Sequence, residues 1–212
     1  MNYLSAKLWF PNPNEADEDG LLAIGGDLST ERLLLGYHSG IFPWFDDAQP
    51  IMWWSPDPRM VLFPSNFKVS KSLQKTIHRN KFRVTFNTCF SDIIKNCSSI
   101  KRDGQAGTWI TDEMLESYSE LHQQGHVLSV EVWKGNELVG GLYGIDLPEK
   151  KVFCGESMFA TVSDASKVGF YHLIEKLKSD NYKLIDCQMY TPHLESLGAD
   201  EIPRKEFLNF LI

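Results

Sequence analysis

The chain has 212 residues, 42% of them hydrophobic and 23% charged, which is enough apolar sequence for a core that needs no disulfide or metal staple. Its 21 basic residues against 28 acids give a net charge of −7, which argues against a uniformly basic nucleic-acid coat protein. No apolar run approaches the ~20 residues that cross a bilayer, and Met1-Asn2-Tyr3-Leu4-Ser5-Ala6-Lys7 lacks the charged and apolar tandem of a secretion signal.

Residues 1–60 are rich in Pro, Gly, Trp and acids, with Phe10-Pro11-Asn12-Pro13 followed by Glu15, Asp17, Glu18 and Asp19. One helix is predicted over residues 30–39, with Ser29 as N-cap, Glu31 in the first turn and Gly40 past the end. After it, Gly40-Ile41-Phe42-Pro43-Trp44-Phe45 and Met52-Trp53-Trp54-Ser55-Pro56-Asp57-Pro58-Arg59 set three tryptophans among prolines. That texture excludes a long helix and a central strand. The stretch reads as a small α+β unit wrapped onto residues 61–212.

Charge is unevenly spread. No acid lies between Asp57 and Asp92, whereas Arg59, Lys68, Lys71, Lys75, Arg79, Lys81 and Arg83 all do. The net −7 therefore divides into +7 in this interval and −14 elsewhere. Val69, Leu73 and Ile77 recur at helical spacing, and Lys71, Lys75 and Arg79 do so two positions on, which puts the two sets on opposite faces. Phe82, Val84 and Phe86 then alternate with Arg83 and Thr85, as in a half-buried strand. A charged helix face is most simply a solvated surface; the functional alternative is a patch that tracks phosphates.

Further on, residues 91–97 form a short predicted helix whose apolar face is Phe90, Ile93, Ile94 and Cys97. Thr111 caps a longer one that carries Asp112 and Glu113 in its first turn and ends at Gly125. Residues 127–133 and 137–145 read as a hairpin around Lys134-Gly135-Asn136. A strand over 151–160, a helix capped by Ser163 and running to residue 179, and a strand over 182–189 predict a parallel pair joined by a crossover helix. Gly140-Gly141 marks a bulge or a close backbone approach.

Two carboxylates stand out. Asp186 interrupts the apolar run Leu184-Ile185-Asp186-Cys187, and Glu156 lies among small and apolar residues in Cys154-Gly155-Glu156-Ser157-Met158-Phe159. An unpaired buried carboxylate is very costly, so each needs a partner or a function. If the two strands are neighbours, Glu156, Asp186 and Gln188 converge near the strand ends; pairing of Asp186 with a lysine is the alternative. Cys187 faces away from Asp186 and reads as core. Cys89, Cys97, Cys154 and Cys187 contain no C-x-x-C pair, and the histidines have no metal-binding spacing, so reduced thiols and no metal are expected.

Taken together, these stretches strongly resemble the leucyl/phenylalanyl-tRNA–protein transferase family. The matching segments begin with Gly20-Leu21-Leu22-Ala23-Ile24-Gly25-Gly26-Asp27-Leu28 and the two tryptophan-bearing motifs above. They continue with Gly107-Thr108-Trp109-Ile110, Ser129-Val130-Glu131-Val132-Trp133, Leu138-Val139-Gly140-Gly141 and the Glu156 motif. Leu184-Ile185-Asp186-Cys187-Gln188 and Ser196-Leu197-Gly198-Ala199 complete a collinear set. The resemblance implies an α+β fold in which a small N-terminal α+β domain precedes a GNAT-like N-acyltransferase domain built on a mixed sheet. It implies transfer of Leu, Phe or Met from aminoacyl-tRNA to proteins that begin with Arg or Lys, marking them for degradation. The donor ester is already activated, so no cofactor is expected. A monomeric cytoplasmic enzyme without membrane attachment is also expected.

By the same resemblance Asp186 and Gln188 form the catalytic centre, with Glu156 near the acceptor. Trp44 and Trp109 contact the terminal adenosine or the aminoacyl end, and Leu142, Met158, Phe170, Leu173 and Ile185 line the side-chain pocket. Lys71, Lys75, Arg79, Lys81 and Arg83 face tRNA phosphates without reading sequence. Two rival readings are an acyl-CoA N-acyltransferase of the same fold and a non-catalytic module that binds tRNA or protein N-termini. The first normally has a glycine-rich pyrophosphate loop, and Ala160-Thr161-Val162-Ser163-Asp164-Ala165 has no glycine. The second has no need of Asp186 and Gln188.

Overall fold

The computed structural model describes residues 1–100 and 108–212; Gly107 of the Gly-Thr-Trp-Ile motif lies outside them. A small sheet and a large one share a continuous core. The small sheet contains β1 (Asn2–Leu4), β2 (Leu21–Gly25), β3 (Phe42–Pro43) and β4 (Met52–Trp54) in the order β1-β2-β4-β3. Helix α1 (Thr30–His38) begins as predicted, with the Ser29 side chain accepting from the Arg32 N–H. Gly40 follows it in the left-handed region, at φ +75°. The tryptophan segment departs from expectation, because β4 is paired on both sides, to β2 and to β3. Pro50 and Pro56 flank the strand instead of interrupting it, so every ladder donor in between survives.

The large sheet has seven strands in the order β11-β5-β10-β9-β8-β7-β6. They are β5 (Arg59–Leu62), β6 (Arg83–Phe86), β7 (Val127–Lys134), β8 (Glu137–Leu147), β9 (Val152–Ala160), β10 (Leu184–Gln188) and β11 (Asp200–Ile202). Within this sheet, among the described residues, only β9 and β10 pair in parallel, joined by α5 (Ala165–Ser179) as the crossover. The others are antiparallel, so the sheet is mixed. Ser163 is not the cap of α5. The N-cap is Asp164, in left-handed conformation and without a side-chain capping bond; its carboxylate instead accepts from Thr76 in α2 (Lys71–His78) at 3.1 Å.

Helix α5 covers one face, burying Phe170, Leu173, Ile174 and Leu177 against Leu62, Val130, Leu142, Phe153 and Ile185. The other face meets α3 (Phe90–Ser99), α4 (Asp112–Gln123) and the core of the small sheet, with Ile93, Tyr118, Leu33 and Trp53 in one cluster. Strand β8 is thus enclosed on both sides, which accounts for the glycine pair. A Cβ on Gly140 would lie 2.7 Å from that of Ala165 in α5, and one on Gly141 would collide with Ile93 of α3. The remaining elements, α6 (Pro192–Ser196) and α7 (Arg204–Leu208), fold the C-terminal segment back; α7 brings Phe207 into the core.

Candidate active site

The parallel pairing of β9 and β10 sets Asp186 opposite Cys154. A register shift follows between Asp186 and Gln188, and Gln188 has φ +64°. A left-handed non-glycine residue costs roughly 1–3 kcal/mol and persists only where neighbours enforce it. Here Asp186 enforces it, its Oδ1 accepting the Gln188 backbone N–H at 2.9 Å. The bulge turns the Gln188 side chain toward Glu156, and its Nε2 donates to Glu156 Oε1 at 2.8 Å. Asp186, Gln188 and Glu156 therefore converge.

Asp186 is paired with arginine, not lysine. Nε and Nη2 of Arg59 each donate to one of its carboxylate oxygens at 2.7 Å, and both residues are 1% exposed. The guanidinium is held between the rings of Phe42 and Phe207, 4.8 and 4.5 Å from their centroids, and Nη1 donates to the Gly40 carbonyl at 3.2 Å. Such a bidentate pair offsets much of the desolvation of both charges. Arg59 consequently contributes nothing to the surface charge of residues 58–91. The sequence groups Arg59 with the other basic residues of the interval, although its position just before the apolar run Met60-Val61-Leu62 distinguishes it as a buried cation.

Two tyrosines also escaped the sequence reading. The Tyr118 hydroxyl donates to Glu156 Oε2 at 3.2 Å and is hydrogen-bonded to the hydroxyl of Tyr37. Both rings are fully buried, and their position on the apolar faces of α4 and α1 was the clue, since a buried phenol needs a partner. The Gly40 N–H donates to the Tyr37 carbonyl at 3.2 Å. A closed circuit results, running Tyr37, Tyr118, Glu156, Gln188, Asp186, Arg59, Gly40 and back to Tyr37.

Burial pushes the Glu156 carboxyl up to about 7, with the negative charge of Asp186 adding to the effect, while hydrogen bonds from Tyr37, Gln188 and Tyr118 oppose it. Burial holds the phenols of Tyr37 and Tyr118 well above their ordinary value, so both remain neutral donors. Burial likewise raises the Cys154 and Cys187 thiols, which disfavours the thiolate a nucleophile requires. Among the described residues no cluster of His, Cys, Asp or Glu could hold a metal ion.

Glu156 and Gln188 border a cavity of about 590 Å³, lined mostly by apolar side chains that include Trp44, Trp109, Leu142, Met158, Phe170 and Ile185. Leu173 does not line it. It is fully buried in the core under α5, because its place on the helix turns it to the sheet. Asp186 also lies outside the lining, behind Gln188, and Cys187 is at the wall instead of in the core. A second hollow of about 630 Å³ shares Trp44 and Trp109 with the first and adds Trp54, Asp46 and Asp47. Trp44, 38% exposed, meets Trp54 edge-on at 5.7 Å, and Trp54 Nε1 donates to the Trp44 carbonyl at 2.7 Å.

The basic residues form a separate surface. Lys71, Lys75, Arg79, Lys81 and Arg83 are all exposed, and among the described residues none of them belongs to an ion pair. Helix α2 has the Ser70 cap and buries Leu73, whereas Val69 falls outside it and is exposed. Arg83 stacks over Trp133 at 5.0 Å.

Residues 61–212 match the family described as leucyl/phenylalanyl-tRNA protein transferase, and residues 26–57 match the N-terminal domain of the same family. The chain belongs to this family. A leucyl/phenylalanyl-tRNA–protein transferase of Flavobacterium psychrophilum is 59% identical over 211 residues, covering 100% of this chain and 99% of its own. One from Christiangramia forsetii is 57% identical over 212 residues and the full length of both. One from Syntrophobacter fumaroxidans is 51% identical over 208 residues, 98% of this chain and 88% of that protein. As a member of the leucyl/phenylalanyl-tRNA–protein transferase family the chain is an enzyme, and the convergence of Glu156 and Gln188 is its candidate active site. No helix among the described residues is long and apolar enough to cross a membrane.

Proposed function

We propose that the chain transfers Leu, Phe or Met from aminoacyl-tRNA to the α-amino group of proteins that begin with Arg or Lys. The observation that carries this reading is the pair Glu156–Gln188 at the edge of an apolar cavity walled by two tryptophans. The aminoacyl side chain enters that cavity against Leu142, Met158, Phe170 and Ile185, with Leu173 supporting it from the core; an apolar wall refuses charged side chains because their desolvation goes uncompensated. The terminal adenosine stacks on Trp44 and Trp109 from the adjoining hollow, a sequence-tolerant contact. Lys71, Lys75, Arg79, Lys81 and Arg83 attract the phosphates.

The ester is already activated, so the site's tasks are to align the amine on the carbonyl and to remove a proton from it. Glu156 and Gln188 receive the acceptor's α-amino group. Asp186, with both oxygens engaged by Arg59 and one also by the Gln188 N–H, acts as the buried anion that orients Gln188, not as the base. Glu156 and the −14 remainder of the chain attract a cationic N-terminal residue. The enzyme works as a cytoplasmic monomer without a cofactor. Its two parts, residues 1–60 and 61–212, meet at β5, and the second part is a GNAT-like acyltransferase domain, a reading supported by the parallel β9–β10 pair and its crossover helix.

The test is direct. Purified protein given labelled Leu-tRNA should label peptides that start with Arg or Lys and leave their N-acetylated forms unlabelled. Absence of label on the free-amine peptides overturns the proposal.

A further inference from the structure

We infer that Tyr37 and Tyr118 are positioning residues of the transfer reaction, their paired hydroxyls holding Glu156 as the ionised carboxylate that takes a proton from the acceptor's α-ammonium group. The inference deepens the transferase reading of this site and rests on it. Its basis is the arrangement around Glu156. Tyr118 donates to one carboxylate oxygen at 3.2 Å, and Tyr37 is hydrogen-bonded to Tyr118 from the opposite side. Gln188 donates to the other oxygen.

The charged and titratable groups facing Glu156 can be named element by element. Helix α1 contributes Tyr37, α4 contributes Tyr118, and β9 contributes Cys154. Strand β8 contributes Tyr143, whose ring meets that of Tyr118 edge-on at 5.9 Å. Strand β10 contributes Asp186, whose charge is already matched by Arg59 of β5. His193 also lines the cavity, and burial lowers its imidazole below the ordinary value. No group in this set brings a free positive charge to Glu156. Neutral donors must therefore keep the carboxylate ionised at a partly buried position, and hydrogen bonds to the charged form do so.

Packing alone does not explain the two hydroxyls. Both rings are fully buried, where phenylalanine would fill nearly the same volume without a polar atom to satisfy. The proton balance is simple. An N–H bond of the α-ammonium group breaks and its proton goes to Glu156; the freed lone pair forms the C–N bond at the ester carbonyl. The C–O bond to the ribose then breaks, its oxygen takes the second nitrogen proton, and Glu156 releases its own to water. Gln188 donates through Nε2 to Glu156, so its amide oxygen is the end left to accept an N–H of the incoming amine.

Tyr118→Phe and Tyr37→Phe, each assayed by single-turnover transfer across pH, test this. Loss of a donor to a charged group should move the acid limb up by about one pH unit. The rate near pH 7 then falls roughly fivefold and recovers toward the parent value at about pH 9, with an unchanged KM for aminoacyl-tRNA. A lower rate with an unmoved limb, or no change at all, overturns the inference. Independently of activity, the ¹³C carboxyl signal removed by Glu156→Gln should titrate at higher pH in both variants; an unshifted midpoint overturns it too. If the parent protein transfers nothing, the transferase reading fails while the carboxyl titration still decides the role of the hydroxyls. Should Tyr118→Phe not fold, Tyr37→Phe decides by the same two measurements, because the Tyr37 hydroxyl also donates toward Glu156 and its loss leaves the Tyr118 contact in place.

Discussion

Glu156 has a stability consequence with a definite sign. Its folded-state value of about 7 lies above the ordinary carboxyl value of 4.5, so between the two the native protein binds more protons than the unfolded chain. Stability therefore falls as pH rises through this window, and the full penalty is present above it. Glu156→Gln removes the penalty while keeping an acceptor and a donor. It should stabilise the protein at about pH 8 by ~1–2 kcal/mol, discounted for contact with the open cavity, and flatten the pH dependence of the urea midpoint. A variant less stable than the parent at that pH would refute the assignment. Arg59 is the opposite case. Arg59→Met leaves the Asp186 charge buried without its partner, and the expected loss is about 3–5 kcal/mol in urea denaturation. Adding Asp186→Asn should recover a substantial part of it; a single-variant loss under ~1 kcal/mol would show that the pair contributes little.

Strand β8 tests the packing at the level of elements. Gly140→Ala drives a methyl into Ala165 of α5 from a backbone that cannot yield without moving the sheet, and overpacking of this kind costs about 1–3 kcal/mol. A thermal midpoint within a degree or so of the parent would mean that α5 gives way freely. The glycine pair was legible in the sequence as a close approach, and so were the caps Ser29 and Thr111 and the apolar face Phe90, Ile93, Ile94 and Cys97, because each is a local pattern. What failed was non-local. Ser163 has a capping residue's chemistry, but the chain turns through Asp164, whose carboxylate is engaged by Thr76 of α2. Strand β4 lies among prolines that only flank it. Asp186 and Glu156 were readable as oddities in apolar runs, with Gln188 on the face of Asp186, whereas the partners Arg59, Tyr37 and Tyr118 come from elements 127, 119 and 38 residues away from those they bind. No sequence period connects such distances. Leu173 differs from the lining residue Phe170 only in its angle around α5.

Across the whole molecule one interval, residues 58–91, carries basic residues without acids, whereas the other 14 basic residues are mixed with all 28 acids. With Arg59 buried against Asp186, the basic interval presents Lys68, Lys71, Lys75, Arg79, Lys81 and Arg83 to solvent, on and beside α2. Net charge describes such a surface poorly, since counterion release depends on the cations that meet phosphates and not on acids elsewhere. Helix α2 is joined to the crossover helix by the Thr76–Asp164 bond, and the proposed phosphate contacts on it have a direct test. Replacing both Lys75 and Arg79 by alanine should raise the KM for aminoacyl-tRNA. It should also reduce the slope of log affinity against log salt by about 2, roughly one for each lost phosphate contact. A minimal aminoacyl-adenosine donor, which has no phosphate backbone to grip, should be used by this variant as by the parent. Equal losses with both donors would mean that the helix supports the fold or the cavity. An unchanged salt slope would move the phosphate contacts to another surface.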